Sequence, residues 1–574
     1  MIERVGVWET GGVDASSARR DLEGWRAELP VDPYAVDGPL RRLVERSEMD
    51  DVRRRLFETR MSGFARRVIA EVGPAAARYE HRAHLPELVR YEALGSRVER
   101  VEFDPAYHDA GAVVWDSGLV ADSGTPGRAY EQATLLYLLS LEGEAGHACP
   151  ATCTIGLARA LRRRAAPAVR DRFLPALLER DYSRAERGAQ FLTEVQGGSD
   201  VGANTCAAVA LKDGTWRVSG EKWFCSVADA DQFLVTARPV GASEGTAGLG
   251  CFVVPRRIEG EPNGFALRRL KEKFGTRGLA SGEIDFDGAL AWPIGPLEDG
   301  FRTAVGIVLN TSRWLTAVGA TGMMRRAYLE AAAYARHRRA FGQRIGVYPA
   351  VRATLASMKS QWLGNLHLWW LLTSLEDRID AGTVTDEETA FHRFLVNTAK
   401  YAASIRAAPV VRDGIEILGG NGTIEDFSVL PRLYRDSIVY ESWEGTHNVL
   451  VAQVLRDLDR LELLGVVADR LDALIARATS PTVAIVAQAA KEARAHAERS
   501  IDDPSFGALH FRGVLDRWLL AFQAASLLTA GPGTEEEAAG ELLALQHLDP
   551  EYRPAAVPRH AERIDATLAG DADG

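Results

Sequence analysis

The chain has 574 residues, 46% hydrophobic and 26% charged, enough for about three or four domains that each bury a core, and unlike a disordered sequence. A net charge of −11 and a pI near 5.7 argue against general attraction to nucleic acid or anionic membranes. Cysteines at 149, 153, 206, 225 and 251, and an N-terminus without the apolar core of a signal peptide, predict a reduced, cytoplasmic protein.

Residues 36–180 are rich in Ala, Leu, Arg and Glu, with apolar side chains at helical spacing, as at Leu135 to Leu139 and Leu141. Pro86 and an irregular stretch at 101–130 divide this segment into several helices. Between about 188 and 295 the pattern changes to short β-branched or alternating runs, such as Trp216 to Val218, Phe233 to Thr236, Cys251 to Val254 and Glu283 to Phe286. The helical pattern returns after Pro296 and persists to about Leu463, with helices expected over 313–337, 350–380 and 386–418. In 464–574 the spacing predicts two helices, at 483–501 and 511–530, then a break at Gly531 to Thr534 and a polar, frayed terminus. The longest apolar stretches, Trp362 to Leu375 and Trp518 to Ala530, fall short of the roughly 20 residues that span a bilayer, so both predict buried helices. The order predicts an α+β multidomain chain: an N-terminal helical domain (1–185), a β domain (186–296), a helical bundle (297–463) and a C-terminal helical extension (464–574).

Glu444 lies among Val439, Tyr440, Trp443, Val449 and Leu450, an apolar setting that raises a carboxyl pKa toward the range of a general base. Taken alone, a Glu before Gly-Thr reads as a turn residue. It belongs, however, to an ordered series: Phe191-Leu-Thr-Glu-Val-Gln-Gly-Gly-Ser-Asp200, Gly220-Glu-Lys-Trp-Phe-Cys-Ser226, Arg338-Arg-Ala-Phe-Gly342, Leu418-Gly-Gly-Asn-Gly422, and Arg432-Leu-Tyr-Arg-Asp436 followed by Val439 to Asn448. Over roughly residues 80–460 this series resembles the acyl-CoA dehydrogenase flavoprotein family. Lys222-Trp-Phe, Trp443-Glu-Gly and the long C-terminal extension resemble its AidB branch, named for a bacterial alkylation-response protein.

The resemblance implies an acyl-CoA dehydrogenase-like fold, with a β-barrel-like central domain, FAD between that domain and the second helical domain, and a homotetramer or homodimer. It places Thr193 on the flavin ring, Ser199 near flavin or substrate, Phe224 where a Trp usually packs on the ring, and Ser226 where a Thr hydroxyl usually bonds near N5. A flat heteroaromatic edge calls for such short hydroxyls and open backbone N–H groups. Arg338 is matched to the FAD pyrophosphate and Phe341 to the adenosine half; with Tyr334 they are expected on one helical face. A Gln common in the family about eight residues past that Phe is Pro349 here. Gly419 and Gly420 are matched to a loop that reaches the FAD of a neighbouring subunit, and Thr446 and Asn448 are further implied cofactor contacts. Arg313 falls where the family has an Arg near the base. The preceding residue, which supplies the base in one subgroup, is Ser312, so Glu444 is the family-matched candidate.

The reaction so implied is α,β-dehydrogenation of an acyl thioester, on CoA or on a carrier protein, with electron transfer flavoprotein as acceptor. Two other readings follow from the same fold. A DNA-binding flavoprotein of the alkylation response would need a basic C-terminal region, whereas 451–574 holds 12 Lys plus Arg against 20 Asp plus Glu, a net of −8. An oxygen-using flavin oxidase or monooxygenase of this fold would generally lack the Glu. No strand leads into a Gly-x-Gly-x-x-Gly, which argues against a Rossmann site. His81 and His84 lack further ligands at metal spacing, so no metal is expected.

Overall fold

The computed structural model describes residues 15–551 and 560–571. The N-terminal region is built of helices with readable start signals. Asp50 accepts from the backbone N–H of Val52 and Arg53 to cap Asp51–Arg67, and Glu144 accepts from His147 and Ala148 to cap Ala145–Arg164.

Two elements depart from expectation here. The stretch expected to be irregular contains the helix Pro105–Asp116, started by an Asp104 cap and Pro105 in its first turn. Upstream, Glu87–Tyr91 and Arg97–Glu102 form an antiparallel hairpin inside a segment expected to be helical. Leu88 and Val101 of that hairpin join the core of the β domain, so tertiary burial sets its conformation.

The β domain closes on itself. Ser281–Pro293 pairs with Trp216–Ser226, which pairs with Ala207–Ala210; that strand pairs with Gln232–Pro239, then Gly250–Pro255, which returns to Ser281–Pro293. Phe265–Leu270 and Gly188–Phe191 attach to this ring as added strands. Closure removes most sheet edges and encloses a core that includes Phe191, Val218, Phe233, Phe252 and Ile284.

The long helices Asn310–His337, Pro349–Ala381 and Asp386–Leu418 form the bundle, the last opened by a Thr385/Glu388 capping box. Trp362, Trp369 and Leu372 are fully buried, as the apolar stretch predicts for a buried helix. Among the described residues, no helix is long and apolar enough to cross a membrane.

Among the described residues the extension holds five α-helices where two were expected: Leu464–Arg477, Val483–Asp502, Pro504–Leu528, Glu535–His547 and His560–Leu568. Its end is not a frayed polar tail up to residue 551. Glu535–His547 is capped by Thr534, buries Leu542 and Leu543, and sends Glu535 to the buried Lys359 at 2.6 Å. The remainder of the expected frayed terminus, 552–559 and 572–574, lies outside the described residues.

Candidate active site

Glu444 sits in a turn between two helices, Leu430–Ser442 and His447–Arg460. Its φ is 58°, a left-handed conformation that costs a non-glycine residue roughly 1 kcal/mol or more, and Gly445 follows at φ 104°. Two buried cations hold this backbone. Arg313 Nε donates to the Glu444 carbonyl at 3.0 Å, and Lys400 Nζ donates to the Gly445 carbonyl at 2.8 Å and the Glu441 carbonyl at 3.2 Å. Arg313 is itself fixed by Asn397 Oδ1 at 2.7 Å and Gln453 Oε1 at 3.3 Å. It therefore meets the base through the main chain.

The Glu444 side chain turns inward. Gln190 Nε2 donates to Oε1 at 2.9 Å and also to Ser312 Oγ at 3.0 Å, while Oε2 is buried with no hydrogen-bond partner among the described residues. Burial pushes the carboxyl pKa up to about 7, opposed by the charges of Arg313 and Lys400 and by the Gln190 hydrogen bond. Burial likewise pulls Lys400 down to about 7 and Arg313 to about 10, each partly offset by Glu444. An unpartnered carboxylate oxygen poised near neutrality can accept a proton from a bound molecule.

Gln190 escaped the sequence reading because it lies in the four-residue strand Gly188–Phe191, where one polar residue among apolar ones looks like ordinary alternation. The bond it makes favours the charged carboxylate. Gln190→Leu is therefore expected to raise the Glu444 pKa, moving the acid limb of the kcat/KM profile up by about one pH unit, the scale of a hydrogen bond to a charged group. An unmoved limb would remove Gln190 from this role.

The other expected site residues fall into two groups. Thr193, Phe224 and Ser226 lie together: the Trp223 N–H donates to the Thr193 carbonyl at 3.0 Å, and Lys222 Nζ meets Glu194 Oε1 at 2.8 Å in a buried ion pair. Glu194 also accepts from the Thr205 and Cys206 N–H groups, which ties down the segment carrying the exposed Ser199. The Phe224 ring is 54% exposed, an open aromatic face. Gln190, three residues before Thr193, joins this group to Glu444. Thr446 is exposed and its side chain makes no capping bond, whereas the Asn448 side chain accepts from Arg512 Nη1 at 3.1 Å.

Arg338 and Phe341 require a correction, because they do not share a helical face with Tyr334. The helix ends at His337, Arg338 turns extended at ψ 132°, and Arg339–Ala340 pairs with Gln343–Arg344 in a hairpin. Phe341 occupies its tip at φ 51° and is 95% exposed, with Gly342 at φ 87°. A Phe-Gly pair with both φ values positive makes the hairpin turn, and the four-residue spacing has no meaning beyond the helix end. Gly419 and Gly420 are exposed, with open space where a Cβ would stand, and the neighbouring Asn421 Nδ2 donates to Tyr334 Oη at 3.2 Å. This second group thus gathers at the C-terminal end of Asn310–His337, while Arg313 stands at its start. At 1.5 Å per residue, Arg313 and Arg338 are about 37 Å apart.

The first group fits a flavin: an open aromatic face, short hydroxyls and a buried carboxyl with a free oxygen. Among the described residues no cluster of His, Cys, Asp or Glu could hold a metal ion. His84 Nδ1 instead meets Asp104 at 2.9 Å, and His81 accepts from the Ala83 N–H.

Such a layout suits an oxidoreductase that holds a redox cofactor, and comparison with known proteins agrees with that class. Residues 298–458 match "Acyl-CoA dehydrogenase, C-terminal domain", residues 189–289 its middle domain, and residues 28–184 "Adaptive response protein AidB N-terminal domain". The protein AidB of Escherichia coli (strain K12) is 35% identical over 388 residues, 65% of this chain and 69% of that protein. The crystal structure of Caenorhabditis elegans ACDH-11 in complex with C11-CoA superposes with a TM-score of 0.84 at 28% identity, covering 95% of each chain. An acyl-CoA dehydrogenase of Bacillus anthracis complexed with FAD shares the fold at 18% identity, with a TM-score of 0.69 over 91% of this chain and 88% of that one. The chain belongs to the acyl-CoA dehydrogenase family, FAD-using oxidoreductases that act on CH–CH bonds. Within that family it stands with the AidB branch.

Proposed function

We propose that this protein dehydrogenates the Cα–Cβ bond of an acyl thioester, with Glu444 as the general base. The observation that carries the reading is the buried, unpartnered Oε2 of a carboxyl tuned to about 7. A Cα–H beside a thioester is weakly acidic, so its removal needs a desolvated carboxylate and a donor for the developing enolate oxygen. Glu444 takes the α-proton on Oε2, and its backbone N–H is assigned to the thioester oxygen. An FAD held at this site would supply the acceptor for the hydride leaving Cβ. Gln190 and Ser312 orient the carboxyl, Arg313 and Lys400 fix its main chain, and Thr193, Ser199, Phe224, Ser226 and Thr446 are assigned to the flavin.

The acyl group is carried on CoA in this reading, as in the C11-CoA complex of ACDH-11, and a carrier-protein thioester suits the same chemistry. Arg338 is about 37 Å along the helix from Arg313 and Phe341, Gly419 and Gly420 lie at that same far end, so we assign the four to the cofactor of a second copy in a homodimer or homotetramer. Electron transfer flavoprotein is the assigned acceptor, and the four segments 1–185, 186–296, 297–463 and 464–574 the assigned domains. The test is anaerobic titration of the holoprotein with short, branched, aromatic and carrier-bound acyl thioesters. Bleaching of the flavin with formation of a trans-2-enoyl product is expected. Consumption of oxygen with an amine or phenol, and no bleaching by any thioester, would replace this reading with an oxidase.

A further inference from the structure

The acidic C-terminal extension reaches the turn that carries Glu444. Arg512 and Asp516, one helical turn apart on Pro504–Leu528, contact the helix that follows this turn and the helix behind it, respectively. Arg512 Nη1 donates to Asn448 Oδ1 at 3.1 Å, and Asp516 Oδ1 accepts from Tyr401 Oη at 2.7 Å. The Tyr401 ring stands edge-on to the His447 imidazole, with centroids 5.4 Å apart at 89°, and His447 Nε2 lies 3.1 Å from Ser404 Oγ. Tyr401 is also the residue after Lys400, whose ammonium holds the Gly445 carbonyl. Both contacts thus converge on the first turn of His447–Arg460 and on the helix behind it.

That first turn needs outside support. Its N-cap, Thr446, makes no side-chain capping bond, directly after two residues at positive φ. The extension also packs closely on the same helix: a Cβ added to Gly507 would stand 3.1 Å from Leu455 Cδ2.

We propose that the C-terminal extension is a positioning element for the active site, with Arg512 and Asp516 locking the Thr446 to Asn448 turn and thereby the left-handed backbone of Glu444. The consequence for turnover rests on the reading of Glu444 as the base; the consequence for local order does not. The test uses the full-length holoprotein and its Arg512→Ala, Asp516→Asn and Arg512→Lys variants. Amide hydrogen exchange in a peptide spanning 440–450 is expected to speed up about tenfold in the first two, with or without FAD bound. Turnover is expected to fall about tenfold with KM within about twofold, because a displaced base costs the chemical step more than binding. Arg512→Lys, which keeps a cation and a donor, is expected to recover most of both. Unchanged exchange at 440–450 in Arg512→Ala and Asp516→Asn would overturn the proposal. Faster exchange with unchanged turnover would leave the lock standing and count against Glu444 as the base.

Discussion

Glu444→Gln is expected to lower turnover about 100- to 10,000-fold, the share of a rate that a positioned general base supplies, while FAD stays bound. The substitution is close to isosteric, and an amide oxygen can still accept the 2.9 Å bond from Gln190. The backbone bonds from Arg313 and Lys400 go to carbonyls and do not depend on the side chain. What the variant lacks is a proton acceptor at the buried Oε2 position. Flavin content and absorbance, measured beside steady-state turnover, separate loss of chemistry from loss of cofactor. Turnover within a few-fold of the parent would end the assignment.

Arg159→Met is expected to produce the largest loss of stability, about 3–5 kcal/mol at neutral pH, by breaking a buried ion network from one side. Arg159 is fully buried on Ala145–Arg164, with Nη1 2.7 Å from Glu376 Oε2 and 3.2 Å from Thr311 Oγ1, Nη2 bonded to Asp380, and the guanidinium 5.0 Å over the Trp314 ring. Burial alone would raise the Glu376 carboxyl; the Arg159 charge, and then His392, instead hold it well below the usual carboxylate range. A carboxyl depressed in the fold adds stability above its unfolded pKa and loses it as pH falls through the folded value. The cost of Arg159→Met is thus expected in full near pH 7 and to shrink in acid. Thermal midpoints of both proteins at pH 7 and pH 4 check this, and equal midpoints at pH 7 would contradict it.

The parts of the site that depend on residue type at fixed spacing were legible in the sequence. Glu444 among apolar neighbours and Arg313 on its helix do meet, Arg313 through a bond to the Glu444 carbonyl and through its charge on the carboxyl. Gln190 was not legible, because its role exists only once a strand from the β domain meets the turn at Glu444. Arg338 and Phe341 were misread by carrying helical periodicity past His337 into a turn whose Gly342 was the available signal. The hairpin at 87–102 follows from contact with the β domain, which local pattern does not record. In the extension, the helix expected at 511–530 begins at Pro504, and Asp503 capping with Pro504 in the first turn was a start signal passed over.

The pH dependence of kcat/KM tests most directly whether the carboxyl of Glu444 is the base, because it reports ionisations of the free enzyme. The account predicts an acid limb with an apparent pKa near 7, activity rising as Glu444 deprotonates, set by the burial that lifts this group from its ordinary value to about 7. A profile flat from about pH 5.5 to 8.5, or a limb that persists in Glu444→Gln, would contradict it.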